Sequence, residues 1–173
     1  MRLASPGGQE MARTAKQSLG DRGEQLVAKR VRCPGCKPSE RTLRVLPSNF
    51  KCADIICDFC GYLAQVKTKS VKGPLPSDCP TILPGSAWGP QQERMVAGIY
   101  FSLFIVLEND DGAMRIFFLP RDLQSSGMFV PRRPLSATAK RAGWQGFMID
   151  VSKALGRPVR YVDGSADEFR LDV

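Results

Sequence analysis

Histidine is absent from all 173 residues. That absence removes Ser-His-Asp and Cys-His hydrolases, histidine-dependent nucleases and every histidine-ligated metal site. Long apolar runs are missing too. The longest, Val96 to Leu107, holds Gly98 and Ser102 and is twelve residues long, too short to cross a bilayer and suited to buried core. The opening stretch MRLASPGGQEMARTAKQ has no apolar segment of the kind an export signal needs. The expected location is therefore the cytoplasm, where six cysteines are better suited to metal than to disulfides. Acidic residues are in the minority: 25 Lys and Arg face 17 Asp and Glu, a formal net charge of +8, which favours a polyanionic partner. Hydrophobic residues at 43% and charged residues at 24% suit a folded chain with a real core.

Residues 1–17 are small and polar without period and read as a disordered tail, with Met11 a second candidate start; residues 18–173 form the expected folded domain. A first helix is expected over SLGDRGEQLVAKRV, where Ser18 and Asp21 have capping-box spacing. Leu19, Gly23, Leu26, Val27 and Val31 fall on one helical stripe, with Glu24 at its edge. Strand-like runs follow at Leu43–Leu46, Ala53–Cys57 and Tyr62–Lys67. A Pro- and Gly-rich loop is expected over 72–90, then a short helix near Gln91–Ala97 and strands at Ile99–Leu107 and Met114–Leu119. A basic Pro/Ser-rich stretch, 120–141, precedes a strand at Phe147–Asp150, and residues 163–173 are acidic. This order indicates an α/β or α+β fold with a central mixed sheet flanked by helices.

The sharpest local pattern is Cys33-Pro-Gly-Cys36 followed, after twenty residues, by Cys57-Asp-Phe-Cys60. Each C-x2-C knuckle presents two thiolates to one ion, and two knuckles complete a closed tetrahedral zinc site; iron accepts the same four thiolates. A closed site has no open position, so its role is structural. Cys52 and Cys79 are left over and read as small buried apolar residues.

The second knuckle lies between two strand-like runs and takes the place of a hairpin turn. A bulge at Gly61 makes Asp54 and Gln65 near cross-strand neighbours. Alternation then places Leu63, Gln65 and Lys67 on one face and Tyr62, Ala64 and Val66 on the other. An Asp, a second oxygen ligand and a Lys at one sheet edge suit metal-assisted phosphodiester hydrolysis. The spacing D-x10-Q-x-K arises by chance in many chains, and a solvated strand is the plainer alternative. Gly98-Ile99-Tyr100 lacks the YIG partner of a GIY nuclease and is set aside.

Read together, CPGC at Cys33–Cys36, ADIICDFC at Ala53–Cys60, QVKTK at Gln65–Lys69 and RRPLSATAKRAGWQG at Arg132–Gly146 resemble the Dam-replacing family of methyl-directed type II restriction endonucleases. The resemblance implies a PD-(D/E)xK restriction-endonuclease-like catalytic domain with a nested four-cysteine zinc site. It implies Asp54, Gln65, Lys67 and Glu24 as the catalytic set and Asp54, Gln65 and Val66 as the magnesium position. It implies Cys33, Cys36, Cys57 and Cys60 as zinc ligands, and duplex DNA bearing N6-methyladenine, typically in GATC, as substrate. Gln65 stands where the family carries Glu, a neutral ligand for an anionic one, as in Mrr-like nucleases of the same superfold. The chain is also shorter than members with a winged-helix reader.

Arg132, Arg133, Lys140 and Arg141, with Arg121 nearby, are dense enough for phosphate contacts. Trp144 suits stacking on bases, and Lys67, Lys69 and Lys72 form a second basic cluster. The plainer alternatives are a solvated face and a core tryptophan. Two rivals to the nuclease remain: a DNA-binding module that lost its chemistry at Gln65, and a zinc-ribbon protein whose cysteines serve a protein interface.

Overall fold

A computed structural model describes residues 14–36, 43–48, 50 and 53–161. Most of the expected tail, the acidic segment 163–173 and Cys52 lie outside the described residues. Helix α1 spans Ala15–Arg30 and starts three residues before Ser18. Thr14, rather than Ser18, is its cap: the Thr14 hydroxyl accepts the Gln17 N–H at 3.3 Å, and the Gln17 side-chain carbonyl accepts the Thr14 N–H at 2.8 Å. This reciprocal pair is a capping box, so residues 15–17 are helical and not part of a tail. Lys29 and Arg30 in the last turn suit the negative end of the helix dipole. The expected stripe faces inward, with Gly23, Leu26 and Val27 buried.

Six strands form a central mixed sheet. They are β1 (Arg44–Val45), β2 (Ile55–Ile56), β3 (Leu63–Ser70), β5 (Ser102–Glu108), β6 (Met114–Leu119) and β9 (Val159–Tyr161), in that spatial order. The β3–β5 pair is parallel and every other pairing in the sheet is antiparallel. Six of the seven β5 residues are buried, as expected of a central strand covered on both faces. A second sheet holds β4 (Ile82–Ala87), β8 (Gly146–Asp150) and β7 (Phe129–Pro131), in the order β4-β8-β7. Helix α2 (Trp88–Val96) follows β4 directly.

Strand β4 lies inside the stretch 72–90 that reads as a loop. Pro84 and Gly85 break the strand pattern, yet β4 is an edge strand, where proline is tolerated, and its pairing with β8 shifts register between Pro84 and Ala87. Pairing partners that are distant in sequence decide such a segment, not its own propensity. Strand β7, at the other edge, ends on Pro131 for the same reason.

The core is double. Leu26, Val27 and Val31 pack with Ile55, Ala64, Val66, Phe104 and Val106 between α1 and one face of the central sheet. Leu103, Ile105, Leu107 and Phe117 point from the opposite face onto Leu83, Phe129, Phe147 and Ile149 of the second sheet. The sheet is thus covered by a helix on one side and by three strands on the other. Arg22 fastens α1 to the end of β5 through three charge-assisted hydrogen bonds to Glu108, at 3.0, 3.2 and 2.8 Å.

Candidate active site and metal centre

The polypeptide leaves α1 into the first knuckle, and the second knuckle joins β2 to β3. Cys57 donates its N–H to the Tyr62 carbonyl at 2.9 Å, and its own carbonyl accepts the Gly61 N–H at 2.9 Å. Gly61 has φ of +75°, a left-handed conformation that other residues adopt only under strain, and it returns the chain into β3. The four Sγ atoms of Cys33, Cys36, Cys57 and Cys60 lie within 4.8 Å of one another. Cys33 to Cys60 and Cys36 to Cys57 are each 3.6 Å. A tetrahedron with bonds of about 2.3 Å has edges of about 3.8 Å, so the cluster fits one four-coordinate ion. Burial opposes ionisation of Cys57, yet the Cys60 and Phe59 N–H groups outweigh it and lower the thiol to about 7. Burial raises the Cys33 thiol to about 12. Cys79 is half-buried, with its thiol on the Pro80 carbonyl at 3.5 Å, apart from the cluster.

The same hairpin carries the second constellation. Asp54 donates its N–H to the Ala64 carbonyl at 3.0 Å, one step before β2 begins. Its carboxylate Oδ2 accepts the Val66 N–H at 2.7 Å. The side chain therefore continues the ladder ahead of the first residue of β2, which fixes the carboxylate against β3. Burial alternates along β3 as expected: Ala64 and Val66 face the core under α1, while Gln65, Lys67 and Lys69 face the other way, half-buried. With its side chain only 6% exposed, Val66 has just its carbonyl to offer a cation. In a strand that carbonyl points the same way as its N–H, toward Asp54.

Asp54, Gln65 and Lys67 open into one cavity of about 250 Å³. Ser48 and Phe50 line it from the chain before β2, Ser86 and Ala87 from β4, Gln91 and Arg94 from α2, and Phe147 from β8. Glu24 approaches from α1. Burial lifts its carboxyl to about 7, with the Asp54 and Asp21 charges adding to the rise and Lys67 opposing it. Of the expected quartet, Asp54, Gln65 and Lys67 thus line one cavity, and Glu24 feels the charges of Asp54 and Lys67 from α1. The oxygens of Asp54, Gln65 and Val66 are hard donors of the type magnesium takes.

The basic stretch is an ordered hairpin between β7 and β8. Arg132 donates its N–H to the Gly146 carbonyl at 2.9 Å, Leu135 to that of Trp144 at 2.9 Å and Gly143 to that of Leu135 at 3.1 Å. Arg132, Arg133, Lys140 and Arg141 are exposed. The Arg141 guanidinium lies 4.6 Å from the Trp144 ring centroid, a cation–π stack. The ring rests on Gly146, where a Cβ would come within 2.9 Å of it. Trp144 is therefore half-exposed on a base of backbone and is not a core residue. Gly146 pairs with Ala87 and precedes Phe147, so the hairpin springs from the wall of the Asp54 cavity. Lys69 donates to the Ile82 carbonyl of β4 at 3.3 Å. Arg121 is elsewhere: it pairs with Asp122 at 3.4 Å and lines a separate cavity of about 670 Å³ beside the cysteine knuckles.

Sequence reasoning passed over Gln91 and Arg94. Their i, i+3 spacing on a helix is the one signal that could have paired them; it gives no hint of the strand they face. No helix among the described residues is long and apolar enough to cross a membrane. The sequence profile of the Dam-replacing family (DpnI) matches residues 10–163. That span takes in both knuckles, the Asp54 cavity and the basic hairpin. The chain belongs to the Dam-replacing family.

Proposed function

We propose that this protein is a zinc-stabilised, magnesium-dependent endonuclease that hydrolyses phosphodiester bonds of adenine-methylated duplex DNA, at GATC-like sites, in restriction or defence. Family membership supports a methyl-directed restriction nuclease. The observation that carries the reading is the Asp54 carboxylate, held by the Val66 N–H beside Gln65 and Lys67 in one cavity.

Asp54, Gln65 and the Val66 carbonyl would hold magnesium, which when bound neutralises phosphate charge and acidifies water. Lys67, on the same face of β3 as Gln65, orients the attacking water and stabilises charge that builds on the phosphate oxygens. Gln65 contributes a carbonyl and no charge, so Glu24 is the carboxylate available to compensate. Arg132, Arg133, Lys140, Arg141 and Lys69 bind the DNA backbone; because they neutralise phosphates, binding weakens steeply with salt. Trp144 reads the methyl group by apolar contact. One CH2-sized group is worth roughly 0.8 kcal/mol, so discrimination grows when both strands are methylated.

The neutral Gln65 favours a second reading, a DNA-binding module of the same fold without cleavage. Incubation with methylated and unmethylated plasmid in Mg²⁺ and in Mn²⁺ separates the two. Cutting of methylated plasmid, stronger in Mn²⁺, supports the nuclease; binding without cutting in either metal supports the module.

A further inference from the structure

The cavity that holds Asp54 is lined by a guanidinium, one of whose nitrogens is unsatisfied among the described residues. Arg94, in the last turn of α2, donates from Nη2 to the Gln91 side-chain carbonyl at 2.8 Å. Its guanidinium carbon lies 5.5 Å from the Phe101 ring centroid. Gln91 is itself only 4% exposed, so the guanidinium is held in one plane by a buried amide and an aromatic face. Nη1 is buried and has no hydrogen-bond partner among the described residues.

A buried donor left unsatisfied is costly, and more so when it is charged. Arginine cannot escape that cost by losing its proton, even though burial pushes its pKa down. Lys67 and Arg94 therefore bring two positive groups to a cavity whose one lining carboxylate, Asp54, is already engaged by the Val66 N–H. The acceptor that completes this arrangement is an anion. The planar donor set of the Arg94 guanidinium matches the paired oxygens of a phosphate diester better than a point charge such as lysine does.

We propose that Arg94 binds the non-bridging oxygens of the DNA phosphate that enters the Asp54–Lys67 cavity, as a catalytic residue that stabilises charge on the phosphate under attack. This rests on the nuclease reading above. It assigns α2 a role in the reaction, with Gln91 as the positioning residue that aims the guanidinium.

The test uses the full chain with Arg94→Met and Arg94→Lys. Binding to a methylated and an unmethylated 20-base-pair duplex is measured in Ca²⁺ over a salt series. Single-turnover cleavage is measured in Mn²⁺ and thermal stability without divalent metal. The Arg94→Met variant should melt at or above the wild-type temperature, because it removes an unsatisfied buried donor. It should bind both duplexes more weakly and to the same degree. Its slope of log affinity against log salt should be shallower by about one unit, the signature of one lost phosphate contact. Cleavage should fall about 100-fold or more, the usual loss of one transition-state donor. Arg94→Lys should keep the salt slope and recover only part of the cleavage rate.

An unchanged slope for Arg94→Met overturns the proposal. So does a fall in melting temperature or failure to fold, either of which makes Arg94 a structural cation. Failure of the wild type to cleave in Mn²⁺ sinks the nuclease reading instead. The salt slope, measured without cleavage, then still decides whether Arg94 meets phosphate.

Discussion

One short hairpin, β2–β3, serves two centres that are built on opposite principles. At its turn, Cys57 and Cys60 join Cys33 and Cys36 in a cluster of four thiols that leaves an ion no open position. On its strands, Asp54, Gln65 and Lys67 face an open cavity with one negative charge among them. Four thiolates would give the first centre more ligand charge than one divalent ion carries and leave no open position for chemistry. The second is under-supplied and carries the proposed reaction. Their proximity makes the difference instructive, because an ion bound at the closed centre would cross-link the chain after α1 to the hairpin that carries the open one.

The largest effects should break the closed centre. Structural zinc at four thiolates is worth about 10–16 kcal/mol, as much as or more than the total stability of a small domain, about 5–15 kcal/mol. Cys33→Ser or Cys60→Ser should therefore abolish cooperative folding. Cys79→Ser, at a half-buried thiol outside the cluster, should leave the melting curve close to wild type. Elemental analysis should find one zinc per chain; a folded, metal-free protein would refute the claim.

Breaking the open centre should stop chemistry and spare the fold. Asp54→Ala and Lys67→Ala should each remove detectable cleavage while the circular dichroism spectrum and zinc content stay unchanged. If either variant still cuts at near the wild-type rate, the catalytic assignment is wrong.

A smaller effect belongs to the reader. Trp144→Ala should narrow the affinity gap between methylated and unmethylated duplex severalfold and leave the melting temperature within a few degrees, since the ring rests on exposed hairpin backbone. An unchanged gap in a folded variant removes Trp144 from methyl recognition.

The smallest concerns Glu24, and it sharpens the electrostatic contrast. Its folded-state pKa of about 7 stands above the ordinary 4.5, so the native state holds this proton more tightly than the unfolded state does. Below pH 4 both states are protonated and nothing is lost. As pH rises through 4.5 toward 7 the unfolded chain ionises first, and native stability declines. Glu24→Gln should therefore stabilise the protein without divalent cation at pH 8 by about 1 kcal/mol, allowing for a carboxyl that is partly solvated, and by nothing at pH 4. Urea unfolding at the two pH values measures this, and equal stabilities at pH 8 would contradict the electrostatic account.

How much of this could be read without coordinates differed from element to element. The four cysteines and the alternation along β3 depend on local spacing, and the structure has both where the sequence places them. The bulge expected at Gly61 is a left-handed glycine that closes the knuckle. Helix α1 was legible as a stripe, but its start was not, because Thr14/Gln17 and Ser18/Asp21 both offer a plausible cap. Strand β4 was illegible: Pro84 and Gly85 speak for a loop, and only β8, some sixty residues later, makes it a strand. The missed part of the site has the same origin. Arg94 reaches the cavity that Asp54 lines through the packing of α2 beside the sheet, a long-range event with no local signature, whereas the lysine is announced by the motif.

The central claim is that the open centre is a working but charge-poor metal site. Its most direct test is cleavage of adenine-methylated plasmid by the wild type and by Gln65→Glu, titrated with Mg²⁺ and with Mn²⁺. Changes in the shell around bound metal commonly alter affinity or activity about 10–100-fold. The account predicts a wild type that cuts better in Mn²⁺ than in Mg²⁺, and a Gln65→Glu variant that reaches full activity at a Mg²⁺ concentration lower by at least tenfold. If both proteins are inert on methylated DNA at saturating Mn²⁺, the catalytic account is contradicted and the DNA-binding module takes its place.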